Sequence, residues 1–194
     1  MKLAIVVGAT REGRVSDKVA KWVALEAKNL SDTEVKIVDL KEHPLPMFEE
    51  AMSPQYNPSR SPAPEVKKFL DQLADANAVV LVSPEYNRSY SAVLKNALDH
   101  IDFQLQNKPV MLVAHGSTGG AQAVSHLRGV VPGLRAITTP SAVYLIGRAG
   151  ELIDDDGILN EDLKANPYGP QAALIAALAE LKIYSDALTA IAKS

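Results

Sequence analysis

The most constraining feature of the chain is its beginning, an uninterrupted aliphatic run that breaks into a polar, glycine-bearing turn. Leu3-Ala4-Ile5-Val6-Val7 carries no alternation, as expected of a strand covered on both faces in a parallel sheet. Gly8-Ala9-Thr10-Arg11-Glu12-Gly13-Arg14-Val15-Ser16 follows, and apolar residues then recur at Val19, Trp22, Val23, Ala27 and Leu30 with helical spacing. Strand, loop and helix in that order leave unpaired backbone N–H groups at the helix start, which makes an anion seat.

The side chains of the loop suit phosphate. Thr10 and Ser16 offer hydroxyls, and Arg11 and Arg14 offer planar guanidinium forks. The bland reading is that both arginines are solvated and the glycines only shape a turn. Two nucleotide motifs are excluded. Arg14 and Val15 stand where a P-loop needs Lys and Ser/Thr, and no G-x-G-x-x-G is present. Asp39, where a ribose-binding acid could stand, reads as an ordinary strand-end residue.

At 194 residues the chain is expected to form one domain over its whole length, 1–194. With 47% hydrophobic and 22% charged residues, disorder is not indicated. It has no cysteine, which excludes disulfides, thiolate metal sites and cysteine nucleophiles. A formal charge of −3 gives no basic footprint for nucleic acid or for a membrane surface. The absence of a signal-peptide pattern and of a bilayer-length apolar run leads to an expectation of a cytoplasmic protein.

Further strands are expected at residues 34–40, mixed in polarity like an edge, and at 78–82, 110–114 and 142–146. Helices are expected between them, one carrying Leu94, Ala97, Leu98, Ile101 and Leu105, another from Ala121 to Val131, and a closing helix from Pro170 to Ala192. Residues 41–64 hold six prolines and read as an excursion beside the site, not a domain boundary. The run Asp154-Asp155-Asp156 lacks EF-hand alternation and reads as a solvated turn. This alternation predicts an α/β fold, a doubly wound five-stranded parallel sheet of order 2-1-3-4-5 with helices on both faces. In that order the first, third and fourth strands are neighbours, so the turns at 8–16, 83–91 and 115–120 meet at the ligand-binding crevice. Tyr86 and Asn87 could pack against a flat heterocycle there, with backbone approach at Ser117, Gly119 and Gly120 from the other side.

Gly8-Ala9-Thr10-Arg11-Glu12-Gly13-Arg14, Pro84-Glu85-Tyr86-Asn87-Arg88-Ser89, Leu94-Lys95-Asn96-Ala97-Leu98-Asp99 and Gly119-Gly120 together resemble the NADPH-dependent FMN reductase family of flavodoxin-like proteins, which includes azo, quinone and chromate reductases. The resemblance runs over about the first 150 residues. It implies noncovalent FMN, with phosphate on Thr10, Arg11, Arg14 and Ser16 and the ring against Pro84, Glu85, Tyr86 and Asn87 and against Ser117, Gly119 and Gly120. It implies NADPH or NADH as reductant, a small-molecule electron acceptor (quinone, azo compound, free flavin or metal oxyanion), and a homodimer or homotetramer. The chain departs from the family at Ala9, where many members carry serine, and at Tyr90-Ser91, where a proline-glycine turn is common.

No side-chain acid or base is compelled, because the flavin carries the hard chemistry. His115 is either a wall of the site or a hydrogen-bonded structural histidine. The other histidines lack metal spacing, and Glu85, Asp99, His100 and Ser117 form no supported hydrolase triad. Trp22 reads as packing. A flavodoxin-type electron carrier and a noncatalytic nucleotide-binding module remain the alternatives, and Arg88 is a weak candidate for touching the nicotinamide nucleotide.

Overall fold

The computed structural model describes residues 1–191. Five parallel strands, β1 (Lys2–Val7), β2 (Glu34–Asp39), β3 (Ala78–Pro84), β4 (Pro109–Gly116) and β5 (Ile137–Ile146), form one sheet of order β2-β1-β3-β4-β5. The order is the expected one, with β2 at an edge.

Alternate residues of each strand feed opposite faces, as the pleat requires. Ala4, Val6, Val79, Leu81 and Leu112 pack with α2 (Pro64–Asp75), α3 (Ala92–Asp99) and α4 (Ala121–Val130). Leu3, Ile5, Val7, Val80 and Val113 pack with α1 (Ser16–Ala27) and α7 (Pro170–Ile191). Trp22 is buried in the second layer, as its place on the apolar stripe predicts, and its Nε1 donates to Gln171 Oε1 at 2.8 Å. Two short helices, α5 (Ala149–Leu152) and α6 (Glu161–Ala165), lie between β5 and α7.

Several boundaries differ from the sequence-based expectation. β5 begins at Ile137, because the sheet passes a register shift between Val110 and Leu112 that accommodates Pro140 on the edge strand. The two Arg128 terminal nitrogens donate to Thr139 O and Pro140 O, which satisfies the bulged carbonyls. β3 runs on through Pro84 instead of stopping before it. α3 ends at Asp99; Ile101 and Leu105 are buried from the turns that follow, so periodicity alone overextends the helix. Ala192, the expected end of the last helix, lies outside the described residues.

The proline-rich excursion is mostly irregular, with one 3-10 turn at Pro54–Tyr56, and Pro64 opens α2. It is fastened to the far end of α3. Asn96 accepts from Phe48 N and donates to Pro46 O, and His100 Nε2 meets Pro46 O at 2.9 Å. The acidic turn at 154–157 is docked on α1, where Lys18 pairs with Asp155 and Lys21 donates to Asp155 O.

Candidate functional site

At the C-terminal rim of the sheet, three loops are tied together by their own side chains. Arg11 Nε donates to Tyr86 Oη at 2.7 Å, with the guanidinium carbon 5.2 Å from the ring centroid. Ser91 caps α3, accepting from Leu94 N, and donates to Gly8 O of the first loop. Ser16 Oγ meets His115 Nε2 at 2.8 Å. Glu85 N donates to His115 O at 2.9 Å, and the Glu85 carboxylate accepts from Thr118 Oγ1 and from Gln122 N in the first turn of α4. The expected convergence of the turns after β1, β3 and β4 is therefore present.

Each loop has a local reason for its shape. Gly8 N donates to Val82 O, and a Cβ on Gly8 would fall 2.8 Å from that same oxygen, so the first loop leaves the sheet in close contact with β3. Tyr86 and Ser89 exchange backbone hydrogen bonds around Asn87 (φ 49°) and Arg88 (φ 68°), a two-residue type I′ turn in which Asn is favoured. Gly120 (φ 82°) starts α4 where a Cβ would stand 2.4 Å from Ala114 Cβ. At α1 the N-cap residue is Val15, which makes no side-chain cap, so the first-turn amides are left without one.

The crevice between these loops has a volume of about 290 Å³. Of the residues singled out from the sequence, Arg11, Pro84, Glu85, Tyr86, His115 and Ser117 line it. Thr10 stands half-buried on the first loop, Asn87 is exposed at the tip of the turn, and Gly119 and Gly120 lie buried behind the wall. Arg14 and Ser16 sit on the same loop but are already bonded. Arg14 Nη1 donates to Ala9 O and Asp39 Oδ1, both at 2.6 Å, and Nη2 pairs with Asp39 Oδ2. That pairing raises the Arg14 pKa further and makes Asp39 a strut for the loop, not only a strand-end residue. Glu85, expected against a flat ligand, uses both carboxylate oxygens on Thr118 and α4.

His115 is 7% exposed, and burial, helped by the nearby Arg11, lowers its pKa to about 4. It is a neutral imidazole at pH 7. His100, by contrast, is buried against the excursion with its Nε2 on Pro46 O, so it is not the partner of Ser117 that a hydrolase triad needs. Among the described residues no cluster of three or more His, Cys, Asp or Glu is placed to hold a metal.

Sequence reasoning missed a fourth wall. Residues 147–150, which follow β5, line the crevice with Gly147, Arg148, Ala149 and Gly150. The available signal was the same one used for the other loops, a glycine-flanked cation directly after a strand. A larger cavity, about 470 Å³, lies within the excursion around Arg60 and His100. It is bounded by none of the strand-end loops, and the smaller crevice is where ligand-directed groups converge.

An uncapped helix start, a cation, a neutral imidazole and an aromatic ring meet at the switch point of a doubly wound sheet, the parts a flat, phosphate-bearing cofactor requires. The donor set fits such a group without rearrangement of a charged pair, since Arg11 and Tyr86 line the crevice and the Glu85 carboxylate is engaged by Thr118 and Gln122 N. Comparison with known proteins makes this specific. The family model described as NADPH-dependent FMN reductase matches residues 1–151, and the chain belongs to that family. It is 29% identical to an NAD(P)H-dependent FMN reductase of Schizosaccharomyces pombe, over 86% of this chain and 92% of the relative. It is 32% identical to an FMN-dependent NADPH-azoreductase of Staphylococcus haemolyticus, over 84% and 86%. In fold it is similar to FerB, a flavoenzyme NAD(P)H:(acceptor) oxidoreductase of Paracoccus denitrificans, with a TM-score of 0.74, 21% identity, and coverage of 94% and 98%. The chain is an FMN-dependent NAD(P)H oxidoreductase, with FMN as cofactor and NADPH or NADH as reductant. The electron-carrier alternative is not favoured.

Proposed function

We propose that the crevice binds FMN with its phosphate on the amides of residues 9–16, the Thr10 hydroxyl and Arg11, and its ring between Pro84, Tyr86 and Asn87 on one side and Ser117, Gly119 and Gly120 on the other. The observation that carries this reading is the mutual bonding of the three strand-end loops around one opening. When bound, FMN supplies hydride acceptance from a reduced nicotinamide and electron delivery to an acceptor. Arg11 and the uncapped start of α1 anchor the anion. Tyr86, held by Arg11, gives an oriented aromatic wall. Neutral His115 keeps Ser16 and the β4 loop in register and adds no second positive charge. Arg14 acts mainly through Asp39, fixing the loop that presents the amides.

The acceptor is a small molecule of the quinone, azo, free-flavin or metal-oxyanion kind. The whole chain, residues 1–194, acts as one flavin-binding domain in the cytoplasm, and it functions as a homodimer or homotetramer. The exposed Ile175 and Ile183 on one side of α7 support self-association. Among the described residues no helix is long and apolar enough to cross a membrane.

The test is direct. Purified protein should be yellow, release FMN and not FAD on denaturation, and oxidise NADPH when given a quinone. Arg11→Ala should weaken FMN binding by about 1.5–3 kcal/mol, roughly ten- to a hundredfold. A colourless protein that takes up no added FMN would end the proposal, and light scattering of the holoprotein decides the oligomer.

A further inference from the structure

The cations around the crevice are not equally available. Arg11 is turned onto Tyr86 and Arg14 onto Asp39. Arg148, on the loop after β5, lines the same crevice with a side chain 85% exposed. Its partner is Glu151, three residues on, at 3.4 Å and itself largely exposed. An exposed pair of that kind contributes little, about 0–1 kcal/mol, and a dianion can displace it. The lining carboxylate, Glu85, is turned onto Thr118 and the α4 amide, one oxygen on each, and neither bond involves Arg148. Gly147 N donates to Gly116 O at 3.1 Å, and Ala149 is buried in the layer that holds Val19 of α1, so the loop is seated on its neighbours. Arg148 is thus held at the mouth while its guanidinium fork stays open to a ligand.

We propose that Arg148 is a specificity-determining residue for the reductant, pairing with the 2′-phosphate that distinguishes NADPH from NADH. This inference rests on the flavin-site reading above. A planar fork matches a phosphate monoester in two-point contact, and the selectivity it confers is the difference between a satisfied dianion and a ligand that lacks it. Glu151 competes for the same guanidinium and tempers that preference.

The test uses the flavin-loaded enzyme with a neutral quinone and both reductants in turn. Arg148→Gln should lower the ratio of kcat/KM for NADPH to that for NADH about tenfold, chiefly through KM for NADPH. Glu151→Gln should move the ratio the other way. An unchanged ratio in a variant that keeps its flavin would overturn the proposal while leaving the site reading intact. Equal losses with both reductants would place Arg148 on the shared pyrophosphate, and loss of FMN would place it on the cofactor; either overturns it. So would a defect confined to anionic acceptors when a carboxylated quinone is compared with the neutral one. Wild-type protein that binds no FMN would instead defeat the underlying reading.

Discussion

Ser16 Oγ and His115 Nε2, ninety-nine positions apart in sequence, lie 2.8 Å from each other in a buried contact. The pair joins the first turn of α1 to the end of β4, two of the elements that build the crevice. Burial holds the His115 pKa near 4, below its ordinary value of 6.5. Between those values the unfolded chain binds a proton that the folded chain refuses. Stability from this group is therefore complete above pH 6.5, declines as pH falls, and is fully lost below pH 4. A shift of this size corresponds to roughly 3 kcal/mol. Urea unfolding from pH 7 to pH 4.5 should show a steep loss of stability that His115→Gln flattens. A variant with the same pH slope as wild type would show that His115 is not the sensing group.

Arg14 and Asp39 form the second fastening of the first loop, with side chains only 10% and 14% exposed. Removing Asp39 from this largely buried pair leaves Arg14 only the longer contact with Asp17, 4.0 Å from its Nε. Asp39→Asn should therefore cost about 2–3 kcal/mol, below the full penalty of a wholly buried pair because some solvent reaches the sheet edge. FMN affinity should fall as well, since the loop that presents the amides loses its strut. Unfolding midpoints and a flavin titration on the same preparation check both. Destabilisation without weaker FMN binding would mean that the loop keeps its shape unaided.

The sheet order was legible because buried parallel strands have an unmistakable pattern, as in residues 3–7 and 78–82, and because polar loops after three of them fall at one rim. What sequence could not show is which polar groups satisfy one another. Arg14 reads as a phosphate donor until Asp39 is seen beside it, and that neighbour comes from the register of Val7 with Asp39 across β1 and β2. Glu85 reads as a ligand contact until α4 is placed with its amide toward the carboxylate. The start of β5 was hidden by Pro140, which is tolerated only because the strand lies at an edge and bulges. These are all pairings between elements distant in sequence, and no local periodicity encodes them.

Gly120 begins α4 with φ at 82°, and any Cβ there would press on Ala114 Cβ and on the backbone of His115. The neighbouring atoms are a strand's own, so they cannot yield as a flexible side chain would. Gly120→Ala should lose several kcal/mol, about 2–4, from steric overlap and an unfavoured backbone together. Because the same displacement moves Ser117 and the Glu85–Gln122 bond, the purified variant should also carry less FMN per chain than wild type. A variant as stable and as yellow as wild type would show that α4 can start differently.

Arg60 anchors the proline-rich excursion. Its side chain is 5% exposed, donating to both Glu50 oxygens and to His100 O, and its hydrogen bonds hold the Glu50 carboxyl below the usual carboxylate range. These attachments meet α3 at His100, whereas the crevice is tied to Ser91 at the helix's other end, about 13 Å away at 1.5 Å per residue. Arg60→Ala should thus loosen the excursion without reaching the flavin. We expect a loss of about 2–3 kcal/mol, since a largely buried cluster of charge-assisted bonds is opened. Limited proteolysis should yield new cuts within residues 41–63 while the flavin absorbance stays unchanged. Flavin loss in step with cleavage would instead make the excursion a wall of the site, and α3 the route by which it acts.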